Sequence, residues 1–195
     1  MSKSDPSAAK KERNKTIRWV VTIFFVTLFV TGIISLLSDY IMSVSGIVVA
    51  FVILLVIILV GIIFDIIGVA VTSADEKPFH SMAARKVPGA QNAIKLLRNA
   101  ERVSSICNDV VGDICGVISG SASATIAAQV LAQGNFALPQ LVSLLMSALV
   151  AGLTVGGKAL GKTFAVHSCT SIVSMVGRLL YMLHNPSKLF EKKKK

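Results

Sequence analysis

The chain has 195 residues, of which 53% are hydrophobic and only 15% are charged, and its mean hydropathy is +0.73. This composition excludes an ordinary soluble domain. A net charge of +10 would suit nucleic acid as a partner of a soluble protein, but here the basic residues flank long apolar runs and no nucleic-acid-binding motif is present. The sequence therefore predicts an all-α membrane protein with about four transmembrane helices and no nucleic-acid partner.

The first half begins with a polar, basic segment, residues 1–16, which we expect to be a disordered cytoplasmic tail. Apolar runs follow at about 17–37 and 47–72, joined by a short turn that contains Asp39 but no Lys or Arg. The second run is rich in Val and Ile and is interrupted only by Asp65. Its length fits a membrane helix better than a strand.

The central segment, residues 74–102, differs sharply from the runs on either side. It carries six Lys and Arg residues, and Pro88 with Gly89 marks a turn near its middle. Apolar residues recur with helical spacing on both sides of that turn. We therefore predict a juxtamembrane hairpin of two short amphipathic helices that lies on the lipid headgroups.

The second half is predicted to hold spans at about 103–132 and 138–157, a C-terminal interfacial helix at 168–183, and a basic tail at 184–195. All twenty Lys and Arg lie before or at the start of the first span, in the hairpin, or from the end of the fourth span onwards. The two intervening turns carry none. The positive-inside rule then places both termini and the hairpin in the cytoplasm of a multi-pass plasma-membrane protein.

The third span is apolar yet contains Asn108, Asp109 and Asp113. The two carboxylates are four residues apart and share a helix face, which is continued by the small residues Gly112, Gly116 and Gly120. From the start of the span, Asp109 would lie roughly 9 Å and Asp113 roughly 15 Å deep. Hard cations such as Mg²⁺ prefer these oxygen donors. The same pattern also fits a protonated Asp113 that hydrogen-bonds a neighbouring helix as structural glue.

Other polar residues are weaker candidates for chemistry. Ser73 and Glu76 follow the second span where Pro78 breaks the helix, and they would complete a cation site there or simply be solvated. Asp65 would join the polar face or reach water, and Lys158 would snorkel or pair with Asp109. The histidines lack the spacing of a metal site, and no motif of an enzyme active site is present, so we expect no enzymatic activity.

The segment 71–113 resembles the transmembrane domain of the CNNM/CorC family of magnesium and cobalt transporters. Two patches carry the resemblance. Ser73-Ala74-Asp75-Glu76 follows a long apolar helix, like the family's SAxE stretch, and residues 93–102 (AIKLLRNAER) are similar to its LLxNxER run. In layout the likeness extends over about residues 47–170.

The resemblance implies a homodimer that binds dehydrated Mg²⁺, the transported ion, between its membrane helices. By position, Ser73 and Glu76 match the family's polar residues at the helix break, and Asn108 or Asp109 stands in for its Asn. The usual tandem Asn is absent, and Lys158 takes the place of a family acidic residue, where its ammonium would occupy the cation's position. The regulatory CBS pair is expected to be missing, and an extra N-terminal span is present.

Two functions follow. The first is a divalent-cation transporter, for Mg²⁺ or Co²⁺, in contact with lipid and with metal ligands drawn from Ser73, Glu76, Asn108, Asp109 and Asp113. The alternative is a non-transporting membrane scaffold or regulatory subunit in which Lys158 neutralises Asp109.

Overall fold

A computed structural model describes residues 6–134 and 138–184. This part of the chain is helical apart from short turns and contains no strand. Its helices are α1 (Pro6–Val44), α2 (Ile47–Ser73), α3 (Lys77–Ala84), α4 (Ala90–Arg98), α5 (Ala100–Ser105), α6 (Asp113–Gln133), α7 (Pro139–His167) and α8 (Cys169–His184). A π-helical segment, Ile106–Gly112, joins α5 to α6 without a break.

Four helical stretches are long and apolar enough to cross a membrane: Thr16–Met42, Ile47–Ser73, Ala100–Gln133 and Pro139–His167. The prediction of an all-helical chain with four such stretches is confirmed. Large apolar side chains such as Phe29, Val48 and Leu145 are exposed on their outer surfaces. A helix bundle with an apolar exterior is the form that lipid accommodates, because helices satisfy their own backbone polar groups.

Two helices differ in extent from the predicted spans. α1 begins at Pro6, within the segment predicted to be disordered, of which residues 1–5 lie outside the described residues. Proline suits a first helical turn, and the Ala, Lys, Glu and Arg that follow are good helix formers. α7 continues to His167, well past the predicted end at 157. Its glycines do not end it. Gly161 instead provides a close contact with α2, where an added Cβ would lie 2.8 Å from Ile66.

The central basic segment contains the two short helices α3 and α4, with Gly89 between them at a φ of +88°. A Cβ on Gly89 would lie 2.6 Å from backbone atoms of Arg178, and one on Gly177 would lie 2.7 Å from the Gly89 carbonyl oxygen. The backbones of the hairpin and α8 therefore touch, and only glycine fits at this crossing. That the hairpin and α8 lie on the cytoplasmic headgroups stays a prediction, and residues 185–195 of the basic tail lie outside the described residues.

α2 is the central helix, since it packs against α5, the π-helical segment, α6, α7 and α8. Two apolar cores lie along it. The first contains Ala70, Val71, Phe79, Ala93, Ile94, Leu97, Ala165 and Val173, and the second contains Met42, Ala50, Leu54, Ile58, Ala122, Ile126 and Val150. Asp65 falls on α2 between Ile58 and Ala70. Asp65 and the polar groups around it therefore separate the two cores.

Candidate functional site

Asp65 is the single charged residue of α2 and is only 4% exposed. Two ammonium groups approach it from α7. Lys158 Nζ lies 3.8 Å from Asp65 Oδ1, and Lys162 Nζ lies 3.9 Å from Asp65 Oδ2. The two lysines are one helical turn apart and so share a face of α7. One negative and two positive charges give this cluster a net charge of +1.

The two lysines differ in their access to the surface. The Lys158 side chain is 21% exposed, whereas that of Lys162 is 56% exposed. Both ion pairs are about 1 Å longer than a direct charge-assisted hydrogen bond, which spans about 2.8 Å. The carboxylate is therefore neutralised without being tightly bound.

The third span changes its helix type where it passes Asp65. Over Ile106–Gly112 it is π-helical, which adds a residue to the turn and rotates the side chains beyond it relative to a regular α-helix. Gly112 closes this segment, and its carbonyl oxygen accepts a hydrogen bond of 3.4 Å from Lys158 Nζ. π-helical turns are frequent at functional sites, and this one lies against the buried charge cluster.

Small residues set the register between α2 and the third span. A Cβ on Gly61 would lie 2.9 Å from Cys115 Cβ, and a Cβ on Gly68 would overlap the side-chain amide of Asn108. Glycine at both positions lets the two backbones approach closely. The π-helical segment is thereby held against α2 on both sides of Asp65.

Gly112 lies between these two contacts and faces the charge cluster. A Cβ placed on it would be 3.3 Å from Lys158 Nζ, 3.4 Å from the carbonyl oxygen of Cys107 and 3.7 Å from Asp65 Oδ1. An ammonium and a carboxylate therefore meet beside Gly112, while the Cys107 carbonyl belongs to the hydrogen-bond ladder of the π-helical segment itself. The absent side chain of Gly112 leaves the room for them.

Two buried oxygens at this centre accept no hydrogen bond from the part of the chain that the structure describes: Asp65 Oδ2 and Asn108 Oδ1. The Asn108 amide nitrogen donates to Ser104 Oγ at 3.2 Å. A buried acceptor without a donor costs about 1–3 kcal/mol. Carboxylate, amide and carbonyl oxygens are the donors that Mg²⁺ and Ca²⁺ take in proteins, so this arrangement can bind a hard cation if the lysines allow it.

The predicted ligands of the third span divide between two sides of the helix. Asn108 lies against Gly68 of α2, about one helical turn from Asp65, whereas Asp109 and Asp113 are exposed on the other side. Asp109 Oδ2 accepts a hydrogen bond of 2.8 Å from Ser105 Oγ. Asp113 has no hydrogen-bond or ion-pair partner within residues 6–134 and 138–184. That these two carboxylates bind a cation stays a prediction.

The predicted stripe of small residues is also divided. Gly112 is buried against the charge cluster, but added Cβ atoms on Gly116 and Gly120 would meet nothing within 4 Å. The expectation that all three glycines continue the face of Asp109 and Asp113 is therefore wrong for Gly112. Gly112 ends the π-helical segment, whose extra residue changes its direction relative to Asp109, whereas Gly116 and Gly120 belong to the regular helix that follows.

Ser73 and Glu76 lie at the end of α2, away from Asp65. Ser73 is exposed and eight residues from Asp65, which is about 12 Å along the helix axis. Glu76 Oε2 lies 3.2 Å from His80 Nε2 and 3.9 Å from Arg98 Nε. These residues form a separate surface cluster at the mouth of the hairpin, and their role as metal ligands stays a prediction.

The sequence left the partners of Asp65 open and offered Asp109 as a partner for Lys158. That pairing is wrong, since Lys158 pairs with Asp65. The signal was present in the charge pattern. Asp65 is the only carboxylate of its span, and Lys158 and Lys162 are the only two Lys or Arg in α7, spaced to reach one partner.

Within the described residues, no three or more His, Cys, Asp or Glu side chains are grouped so that they could hold a metal ion. Comparison with known proteins finds no matching family model, no matching curated protein and no matching solved structure. The geometry around Asp65 is therefore the main indication of function.

Proposed function

We propose that this chain transports a divalent cation, Mg²⁺ in the first place, across the membrane between α2, the π-helical segment and α7. The observation that carries the proposal is the pair of buried oxygens, Asp65 Oδ2 and Asn108 Oδ1, that have no hydrogen-bond donor among the described residues. Asn108 belongs to the π-helical segment, and Asp65 lies on the neighbouring helix α2, against which that segment packs. Irregular backbone and buried carboxylates at membrane depth mark ion pathways in transporters.

In this proposal the cation exchanges part of its water shell for oxygens of the protein. Asp65 supplies a carboxylate, Asn108 an amide oxygen, and the π-helical segment its main-chain carbonyls. Ser73 and Glu76 meet the ion at the cytoplasmic mouth. Alternating access comes from rocking of α7 against α2, whose contact is lined by small residues such as Gly157 and Gly161.

Asp109 and Asp113 enter the proposal through the homodimer that the CNNM/CorC resemblance implies. A carboxylate near mid-membrane that faces lipid costs a few kcal/mol, and Asp113 has no partner within the described part of its own chain. In a homodimer built on this face, a second copy would cover the two carboxylates. They would then lie along the cation's path at the subunit contact.

A second function has its own supporting observation. Asp65 already lies between two ammonium groups, so the cluster also suits a fixed contact between α2 and α7. The chain would then be a non-transporting scaffold or regulatory subunit. In that case divalent cations would neither cross the membrane nor stabilise the protein.

Mg²⁺ flux into proteoliposomes that contain a fluorescent Mg²⁺ indicator separates these functions. Transport predicts flux for the wild type and a loss of about tenfold or more for Asp65→Asn, since that change removes the buried charge that binds the ion. Asp39→Asn is the matched control, because Asp39 also lies in a long helix but is bonded to Ser121 far from the site. Each variant is first shown to be monodisperse in detergent.

Wild-type flux no greater than that of protein-free liposomes would refute transport and favour the scaffold. Equal flux for the wild type and Asp65→Asn would refute the assigned site.

A further inference from the structure

We infer that the Lys158 ammonium is a built-in substitute for the transported cation: it occupies the ion's position beside Asp65 when no ion is bound, and it must leave before an ion can bind. This inference rests on the proposed function and adds how the site is emptied and filled. Lys158 would then determine the affinity of the site without being one of its ligands.

The ammonium of Lys158 stands where a bound cation would be expected. It and Asp65 Oδ1 both lie within 3.7 Å of the point where a Gly112 side chain would begin. It also donates to the Gly112 carbonyl at 3.4 Å. A carboxylate and a main-chain carbonyl beside a positive charge are what a bound metal ion would also find there.

The ammonium of Lys158 is also held weakly. A lysine has three N–H donors, yet within the described residues Lys158 makes a single hydrogen bond, of 3.4 Å, and an ion pair of 3.8 Å. Its flexible stem can carry the charge toward the membrane surface. The side chain is 21% exposed, so the bundle does not fully enclose it.

The net charge of the cluster also favours an exchange of Lys158 for an ion. With both lysines in place the cluster has a net charge of +1, which repels a divalent cation. Withdrawal of Lys158 leaves Asp65 and Lys162, a neutral pair that a cation can approach more easily. After the ion has left, the return of Lys158 prevents an unpaired Asp65 from remaining buried in the membrane, where a bare carboxylate is costly.

The test compares Mg²⁺ binding by the wild type with binding by Lys158→Met, which keeps the apolar stem of the side chain and removes its ammonium. Binding is followed as the rise in thermal unfolding temperature with Mg²⁺, against tetramethylammonium chloride at equal ionic strength. We expect the apparent Kd of Lys158→Met to be lower by about tenfold or more, because its competent state no longer competes with a resident ammonium. Lys162→Met, one turn away and also beside Asp65, is the matched control: it lowers the net charge of the cluster equally, so its gain in affinity measures the charge effect alone, and the gain for Lys158→Met should clearly exceed it.

The gain in affinity should disappear in Lys158→Met combined with Asp65→Asn. An apparent Kd for Lys158→Met that equals that of the wild type would overturn the inference, as would an equal gain for Lys162→Met.

A measurement on the wild type keeps the inference testable if Lys158→Met does not fold. Mg²⁺ should expel Lys158 from the site, so its acylation by an amine-reactive reagent in nanodiscs should rise several-fold relative to Lys162, read by mass spectrometry. An unchanged or lower ratio, in a protein that does carry Mg²⁺ flux, would overturn the inference and leave the proposed function standing. Absence of flux together with absence of Mg²⁺ binding by every variant would refute both.

Discussion

The two sides of the third span carry polar groups at similar depth, but those on one side are packed against other helices and those on the other side are exposed. On the side toward α2, Asn108 and Gly112 lie against a buried carboxylate with two lysines close by. On the other side, Asp109 and Asp113 are exposed, and Cβ atoms added to Gly116 and Gly120 would meet nothing within 4 Å. A polar residue in an apolar helix therefore does not by itself locate a site. The site lies where a neighbouring helix packs against such residues.

The comparison also separates two reasons for a small residue in a membrane helix. Gly61, Gly68 and Gly112 are each opposed by a specific side chain, so glycine there makes room for something within this chain. Gly116 and Gly120 have open space beside them, so nothing in the described fold requires them to be glycine. If they are required, the reason lies in a partner that packs on this face.

The largest expected effect on stability comes from Asp65→Asn, which removes the carboxylate that pairs with Lys158 and Lys162. It leaves the ammonium of Lys158 buried without its carboxylate, and we expect the free energy of unfolding to fall by about 1–3 kcal/mol. This is less than the 3–5 kcal/mol of a fully buried pair, because the Lys158 side chain is 21% exposed and that of Lys162 is 56% exposed, so neither ammonium is fully enclosed. Thermal or chemical unfolding in detergent measures it.

Adding Lys158→Met to Asp65→Asn is the control for that result. The second change removes the charge left without its carboxylate, so at least half of the lost stability should return. A double variant less stable than Asp65→Asn alone would show that Lys158 stabilises the bundle by contacts other than the ion pair.

The fold was largely accessible from the sequence, whereas the centre was not. Hydropathy summed over about twenty residues identifies a membrane helix without any knowledge of its neighbours, which is why the four long helices were predicted. The pairing of Lys158 with Asp65 joins residues far apart in the chain. The charge pattern offers Lys158 and Lys162 as candidate partners of Asp65, but whether they meet it depends on which faces of α2 and α7 pack together, and periodicity within one helix does not contain that information.

The π-helical segment also prevents a prediction from the sequence of which residues of the third span share a face. A helical wheel drawn through Asp109, Gly112 and Gly116 assumes a constant rotation per residue, and the structure changes that rotation between Ile106 and Gly112. Tight contacts with α2 lie near both ends of this change, where Asn108 fits against Gly68 and Cys115 against Gly61. Such a local change of helix type follows from tertiary contacts and leaves no mark in the hydrophobic pattern.

A smaller effect on the free energy of unfolding is expected from adding one methyl group at the packed contact between α2 and α6 and one at the exposed face of α6. Gly61→Ala places a Cβ 2.9 Å from Cys115 Cβ, which is fixed to the backbone and cannot swing away. We expect a loss of about 1–2 kcal/mol, since overpacking exceeds the gain in helix propensity. Gly120→Ala meets open space and should be neutral or stabilising by up to about 1 kcal/mol.

The two unfolding midpoints, measured in the same detergent, test this contrast directly. Equal destabilisation by both substitutions would mean that the exposed face of α6 is as tightly packed as its contact with α2, so a second copy would have to cover it.

The smallest effect is expected from Asp113→Asn, which changes the exposed carboxylate without changing its size. Because Asp113 has no partner among the described residues, its replacement in a detergent-solubilised monomer should alter the free energy of unfolding by no more than about 0.5 kcal/mol. Asp65→Asn, the same chemical change, provides the reference for a carboxylate with partners. A loss for Asp113→Asn comparable to that of Asp65→Asn would contradict an open face. It would mean that Asp113 is paired with a group outside the described chain, so that both sides of the third span are sites of polar contact.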